Sequence, residues 1–353
     1  MVQKVLYGML VLVPITIALH VLDIGGHSLI FVLSALSLIP LAGVLGTATE
    51  ETAIYTGPKI GSLLNATLGN LAELIIAFAA LREGLESVVR ASIAGSIIGN
   101  ILIVLGASLL VGGLKNGIQS FDPREASTNA TMMTLAVIAL VVPGLFYLTN
   151  ADGVRLDRHD AERLSDGVAV IMLVIYAAYL YFTLFDKRVK TSRVAHEGKA
   201  NMSLRLAIGL LIGGTIAVVI MSEILVGVLE PTAESWGLSE VFIGLIVVPL
   251  VGNVAEHLVA VKAAWNNDMD LSLGIALGSG LQVALFVAPV LVLIGEIIDK
   301  PIPMVFNAWE LIALIAAVLL AVAISQDGES NWLEGAQLVA VYLILGTAFY
   351  FAG

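Results

Sequence analysis

A short phrase with one amide and one carboxylate, Gly-Asn-x-Ala-Glu, occurs twice in this chain of 353 residues. It occupies residues 69–73 and, 183 positions later, residues 252–256. Helical residues three apart share a face, so each asparagine of the phrase lies beside its glutamate. Carboxylate and amide oxygens suit a hard divalent cation such as calcium, which takes about six to eight oxygen ligands. The chain has no cysteine and no histidine cluster that would favour a softer metal. The phrase therefore predicts an all-oxygen cation site built from both copies.

The helices that follow the two phrases add further polar side chains. Gly-Ser-Ile-Ile-Gly-Asn begins at residue 95, and Gly-Ser-Gly-Leu-Gln begins at residue 278. These hydroxyl and amide groups could contact the ion or pack between helices. The candidate metal ligands are Glu73, Glu256, Asn70, Asn253, Ser96, Asn100, Ser279 and Gln282.

The same two carboxylates can hold protons instead of a cation. Each costs about 2.5–3.5 kcal/mol near the middle of a bilayer, even on a lenient scale. A bound dication favours the ionised carboxylates and burial favours the protonated ones, so the site carries either one dication or up to two protons. An empty, doubly negative site is costly to move through the bilayer, whereas either loaded form is not. This difference is a physical basis for exchange.

Composition places these carboxylates in a membrane protein. The chain is 59% hydrophobic and only 13% charged, whereas a soluble domain carries about 25% charged residues. Its net charge of −11 argues against nucleic acid as a partner. We therefore expect an all-α polytopic membrane protein in contact with the lipid bilayer, with no cofactor.

Eleven apolar runs are long enough to cross a bilayer as helices. They cover approximately residues 4–21, 28–47, 61–81, 91–112, 128–149, 165–186, 204–228, 240–262, 272–296, 307–325 and 332–351. Residues 48–60 suit either a short interfacial helix or a loop. The predicted division is one N-terminal helix in residues 1–27, two five-helix repeats in 28–186 and 204–353, and a basic loop in 187–203.

The 183-residue offset also superposes Gly95-Ser96 on Gly278-Ser279. With the first helix set aside, helices 2–6 match helices 7–11 in order. The two copies of the phrase lie five spans apart, an odd number, so they cross the membrane in opposite directions. Inverted repeats of this kind place substrate sites near the bilayer midplane where the repeats meet.

Lysine and arginine are distributed unequally between the two predicted sides of the membrane. Eleven lie in loops or at helix ends on the side of the N-terminus, six of them around residues 187–205, and six lie on the other side. The positive-inside rule then predicts a cytoplasmic N-terminus and an external C-terminus.

Residues 69–77 (Gly-Asn-Leu-Ala-Glu-Leu-Ile-Ile-Ala) and 252–257 (Gly-Asn-Val-Ala-Glu-His), with the later Ser-Asn and Ser-Gln helices, resemble the two signature regions of the cation/proton exchanger family. That family belongs to the calcium/cation antiporter superfamily. The resemblance implies export or sequestration of calcium in exchange for protons by alternating access. It also implies that Glu73 and Glu256 are the shared calcium and proton ligands, supported by the other six candidates. The basic loop at 187–203 and the lack of an N-terminal regulatory extension favour a prokaryotic plasma (inner) membrane over a vacuole.

Alternatives remain open on the sequence alone. Sodium/calcium exchangers of the same superfamily carry hydroxyl residues where this chain has asparagine, which favours protons as the counter-ion. A passive cation channel would need no coupled proton movement. An enzyme is disfavoured because no helix carries a His-Glu-x-x-His pair.

The sequence leaves open the choice between monomer and homo-oligomer, the proton stoichiometry, and the selectivity among Ca²⁺, Mn²⁺, Cd²⁺ and Zn²⁺. Glu223 and Glu310 are assigned to solvated helix ends, and His257 to packing.

Overall fold

A computed structural model describes residues 7–148, 157–185 and 200–352 of the chain. Most of the predicted basic loop, residues 187–199, lies outside the described residues, as do six of the eleven basic residues counted on the N-terminal side. The orientation of the termini therefore stays a prediction.

The described residues are mostly helical, as the sequence predicts. By length and apolar composition, nine of their helices could cross a membrane: Gly26–Thr56, Ile60–Arg82, Glu86–Asn116, Pro123–Tyr147, Arg158–Phe185, Leu204–Gly227, Glu240–Trp265, Met269–Ile297 and Trp332–Phe351. Two shorter apolar helices are Tyr7–Val21 and Ala308–Ile324. The helical membrane architecture is thereby confirmed, while the count of eleven crossings and the repeat layout stay predictions.

Several of these long helices are interrupted and comprise more than one element. In chain order the α-helices are α1 Leu12–Val21, α2 Gly26–Thr56, α3 Pro58–Leu68, α4 Leu71–Arg82, α5 Glu86–Ile98, α6 Leu105–Asn116, α7 Pro123–Leu148, α8 Arg158–Phe185, α9 Leu204–Gly227, α10 Leu229–Trp236, α11 Glu240–Phe242, α12 Val248–Trp265, α13 Met269–Gln282, α14 Ala288–Ile297, α15 Ala308–Ile324 and α16 Trp332–Ala352. Wider π-helical turns are π1 Gly99–Val104, π2 Ile243–Val247 and π3 Val283–Val287. Two short strands, β1 Gln119–Ser120 and β2 Glu329–Ser330, pair antiparallel.

Two of the π turns lie directly before prolines. Pro249 in α12 and Pro289 in α14 each lack an N–H group, and each ring crowds the carbonyl four residues earlier. The turns π2 and π3 end two residues before these prolines. A widened turn is one of the identifiable ways in which a helix accommodates such an interruption.

The second helix is longer than its apolar run predicts. α2 continues to Thr56, and α3 begins at Pro58 after Gly57, whose φ of 82° ends the helix. Residues 48–56 therefore extend α2, and the expectation of a separate interfacial element at 48–60 is wrong. The physical reason is that no helix-breaking residue occurs between residue 48 and Gly57.

The helices form two compact units, with the boundary falling inside α5 and inside α12. The first unit contains the described residues up to Val89 and from 200 to Ala255, and the second contains those from Arg90 to 185 and from Glu256 to Ala352. Each unit takes helices from both predicted repeats. The division into repeats at 28–186 and 204–353 therefore stays a prediction.

In the first unit, α2 packs along α9 and against α1 and α3. Near its start Phe31 meets Trp236 edge to face, with 5.5 Å between the ring centroids. Near its end the buried Glu51 accepts hydrogen bonds from the backbone N–H of Asn201 at 2.9 Å and from its Nδ2 at 3.0 Å. These contacts fix the segment that leads into α9 against the end of α2.

In the second unit, α6 and α16 approach closely at small residues. A Cβ atom added at Gly335 would lie 2.6 Å from the carbonyl oxygen of Gly106, and one added at Gly106 would lie 2.9 Å from Cβ of Leu338. Since real Cβ atoms essentially never lie within 3.0 Å of such heavy atoms, glycine fits both positions and a larger residue would force the helices to shift. The same unit holds α13 against π1 and α7.

Candidate cation-binding site

The first copy of the phrase lies at a break between two helices. α3 ends at Leu68, and Asn70 then precedes α4 with a non-helical φ of −97° and ψ of 22°. A Cβ atom at Gly69 would lie 2.5 Å from the carbonyl oxygen of Asn65, so glycine permits the chain to pass. Glu73 lies in the first turn of α4, where the positive end of the helix dipole favours a carboxylate.

The second copy of the phrase lies inside a continuous helix. Gly252, Asn253 and Glu256 all belong to α12, so the helix break at the first copy has no counterpart at the second. Asn253 is 1% exposed, and its Nδ2 donates to the carbonyl oxygen of Pro249 at 3.0 Å. This bond holds the amide against its own helix.

The two phrases meet in the first unit. The ideal Cβ position of Gly252 lies 3.4 Å from Cγ of Glu73 and 3.6 Å from its Oε1. The side chain of Glu73 therefore lies against the backbone of α12, one residue before Asn253. Asn70 is buried in the same unit, 1% exposed. Glu73 and Gly252 thus lie side by side within this unit, while a cation site built from both copies of the phrase stays a prediction.

The second unit brings together two of the supporting candidates. Nδ2 of Asn100, within π1, donates to Oγ of Ser279 at 3.1 Å. A Cβ atom added at Gly280 would lie 3.6 Å from Cβ of Asn100, so the backbone of α13 lies near π1 at this point. Asn100, Ser279 and Ser96 are all buried. The amide and hydroxyl groups predicted one helix after each phrase are therefore paired.

The remaining candidates lie on their predicted helices. Gln282 is the last residue of α13, and Glu256 lies in the part of α12 that belongs to the second unit. Both are partly buried. A role in binding a cation stays a prediction for all eight candidates.

Two features of the site were not anticipated from the sequence. Asn100 lies in a π turn, and the Asn253 amide binds the carbonyl of Pro249. The second had a signal, because an asparagine amide within a helix can reach the backbone carbonyl oxygen four residues before it. Nothing in the residues around Asn100 marks a π turn, since no proline follows it in α6.

The family described as sodium/calcium exchanger protein matches residues 27–185 and 206–351. The chain belongs to the sodium/calcium exchanger family. Among relatives in this family, the Ca²⁺/H⁺ antiporter of Aphanothece halophytica is 43% identical over 99% of this chain and 97% of its own length. The Ca²⁺/H⁺ antiporter ChaA of Bacillus subtilis is 43% identical over 92% of each chain.

Solved structures of the exchanger family agree with this membership. The structure of native YfkE superposes with a TM-score of 0.86 at 39% identity, covering 99% of this chain and 100% of that one. The H⁺/Ca²⁺ exchanger CAX superposes with a TM-score of 0.76 at 17% identity, covering 99% and 92%, and shows a shared fold. The resemblance inferred from residues 69–77 and 252–257 is confirmed by these relatives.

Proposed function

We propose that this chain is a secondary active transporter that exchanges calcium for protons across a membrane. The observation that carries the proposal is the position of the Glu73 side chain beside Gly252, which places the acid of one phrase next to the glycine of the other. Relatives named Ca²⁺/H⁺ antiporters, 43% identical over almost the whole chain, support the same substrates. Those relatives are transporters, and accordingly this chain is a transporter and not an enzyme.

In this proposal Glu73 and Glu256 bind either one calcium ion or protons. Two ionised carboxylates neutralise a dication, and two protonated ones are neutral, so both loaded forms avoid a net charge from these groups. Oxygen ligands of the supporting residues suit calcium. The proposed supporting residues are Asn70, Asn253, Ser96, Asn100, Ser279 and Gln282.

The proposed membrane layout has eleven crossings, one N-terminal helix followed by two inverted five-helix repeats. The nine long apolar helices and the two shorter ones support this number. The turns π1 and π3 support the repeats, because residues 99–104 map onto 282–287 under the 183-residue offset. We further propose a prokaryotic plasma membrane with the N-terminus cytoplasmic and the C-terminus external.

The proton gradient can drive calcium against its own gradient. Each proton that moves down one pH unit supplies about 1.4 kcal/mol, so two protons per calcium sustain roughly a hundredfold calcium gradient. A third proton would make exchange electrogenic and add about 2.3 kcal/mol per 100 mV. The two carboxylates of the phrases support a stoichiometry of two.

The decisive experiment places the purified protein in sealed vesicles with an imposed pH gradient and no sodium. We expect calcium uptake that requires the gradient and is accompanied by proton movement in the opposite direction. Collapse of the gradient with a protonophore should stop net uptake. Passive calcium flux without proton movement would instead establish a channel.

Sodium/calcium exchange is the second candidate, because the matching family is described by that activity. It predicts calcium flux that follows a sodium gradient at constant pH on both sides. Asparagine at residues 70 and 253, in place of hydroxyl residues that help hold sodium, favours protons. Vesicles loaded with sodium at uniform pH distinguish the two.

Glu73→Gln and Glu256→Gln test the two proposed ligands. Each variant keeps the shape of the side chain and removes its negative charge, so each should abolish exchange while the protein still folds. Glu230→Gln is a matched control, since Glu230 is exposed in α10 and should leave transport unchanged. Near-normal exchange in either test variant removes that glutamate from the proposed site.

A further inference from the structure

The C-terminal end of α12, the helix that carries Glu256, is held by side chains from outside that helix. Nε2 of Gln119 donates to the carbonyl oxygen of Ala264 at 2.9 Å and to Oδ1 of Asn267 at 2.8 Å. Gln119 is only 1% exposed. Carbonyls in the last turn of a helix have no partner within it, so a buried donor from elsewhere satisfies one of them.

Two residues at the end of α6 bind the same helix end. Nζ of Lys115 donates to the carbonyl oxygen of Trp265 at 2.8 Å and lies 4.4 Å from the centre of its ring. Nδ2 of Asn116 donates to the carbonyl oxygen of Ala264 at 3.2 Å. A cation at a helix C-terminus is favoured by the helix dipole. Lys115, Asn116, Gln119 and Asn267 together are called the helix-end clamp.

Asn267 has a backbone conformation that indicates a specific role. Its φ is +64°, in the left-handed region, whereas the position 183 residues earlier is Gly84 with φ +81°. Each residue lies two positions after the end of the helix that carries an acid of the repeated phrase. Glycine adopts this conformation without cost and asparagine does so with some strain. Asparagine supplies what glycine lacks, an oxygen that accepts the Gln119 hydrogen bond.

We propose that the helix-end clamp positions Glu256 by fixing α12 to the end of α6. The chain from α5 through π1 to α6 carries Ser96 and Asn100, so the clamp makes Glu256 and these polar groups parts of one rigid body. Glu256 lies nine residues before Trp265, about 13 Å along the helix. Movement of the helix end after loss of the clamp would therefore displace the Glu256 carboxylate. The proposal rests on the proposed calcium/proton exchange and adds positioning residues to it.

Gln119→Ala and Asn267→Gly test the clamp through the calcium dependence of uptake. Asn267→Gly keeps the left-handed helix end, as Gly84 does, and removes only the side-chain acceptor. Asn267→Asp retains an oxygen at the same place and is the conservative variant. Gln337→Ala is a matched control, because Gln337 is exposed on α16. Initial uptake rates in proton-loaded vesicles at varied calcium give KM and the maximal rate for each protein.

We expect Gln119→Ala and Asn267→Gly to raise the calcium KM about five- to tenfold, the equivalent of one lost hydrogen bond. The maximal rate should stay within about twofold, and Asn267→Asp and Gln337→Ala should keep the original KM. An unchanged KM with only a lower unfolding temperature, or a fall in maximal rate alone, overturns the clamp as a positioning device. If Gln119→Ala does not fold, the comparison of Asn267→Gly with Asn267→Asp decides.

The failure of the clamp is distinguishable from the failure of the proposed function. Unmodified protein that takes up no calcium under a pH gradient overturns the proposed exchange and the clamp's role in it. Unmodified protein that does take up calcium, with both clamp variants equal to it in KM, overturns the clamp alone.

Discussion

Gly252 offers a way to move Glu73 without changing the glutamate itself. An alanine Cβ at this position would lie 3.4 Å from Cγ of Glu73, which is ordinary van der Waals contact. Within a helix, alanine in place of glycine also stabilises by about 0.5–1 kcal/mol. Gly252→Ala should therefore fold at least as well as the unmodified protein. Its calcium KM should change by about twofold or less.

Gly252→Val adds two methyl groups beyond the Cβ atom, at a position where the carboxylate Oε1 of Glu73 already lies 3.6 Å from that Cβ. Inserting such groups into a packed region costs about 1–3 kcal/mol. The glutamate side chain is the movable neighbour, so displacing it relieves the overlap. If this whole cost is lost from the free energy of calcium binding, the KM rises roughly 5- to 150-fold. Calcium uptake into vesicles under a fixed pH gradient measures it.

Gly213→Val is the matched control for this series. Gly213 lies in α9, and a Cβ atom there would have nothing within 4 Å. The same substitution at an open position should leave the calcium KM within error and should not lower the unfolding temperature. A Gly252→Val protein with the original KM would refute the contact between Glu73 and α12 as an element of calcium binding.

Three further predictions concern stability, measured by thermal unfolding in detergent. Gly335→Ala should lower the free energy of unfolding by about 1–3 kcal/mol through overlap with α6, whereas Gly227→Ala, with open space around its Cβ, should be close to neutral. Arg82→Gln removes an ion pair with Glu223, in which Nη1 and Oε1 lie 2.8 Å apart and the side chains are 53% and 52% exposed. The substitution should lower the free energy of unfolding by at most about 1 kcal/mol. A larger loss would contradict the solvated character of the pair. Asn307→Ala removes the N-terminal cap of α15 and should cost about 1 kcal/mol, which Asn307→Asp should restore.

Much of the helical content was predictable, because each apolar run is long enough to require a helix in a membrane. The functional candidates were predictable for a related reason. A carboxylate in such a run is costly, so the duplicated Glu73 and Glu256 required an explanation beyond packing. Asn100 and Ser279 became candidates by the same logic applied to amides and hydroxyls, and the structure adds the hydrogen bond between them.

Contacts that depend on residues far apart in sequence were not predictable. Gln119 lies 145 residues from the Ala264 carbonyl that it caps, in a stretch that reads only as a polar loop. Glu223 was predicted to be solvated at a helix end, and the structure shows that it also forms an ion pair with Arg82. Periodicity and composition describe one helix at a time, so they carry no information on which helix end meets which side chain.

The two copies of the phrase show why even a repeated sequence does not guarantee a repeated backbone. At the first copy the helix breaks at Gly69 and Asn70, whereas at the second the helix is continuous and the irregular turn lies earlier, at 243–247. The difference coincides with Pro249, whose counterpart under the 183-residue offset is Ala66. A proline disrupts the helix on its N-terminal side, so the irregular turn forms before the phrase. The helix can then continue unbroken through Gly252. Where no proline precedes it, glycine is the weakest point, and the break falls within the phrase itself.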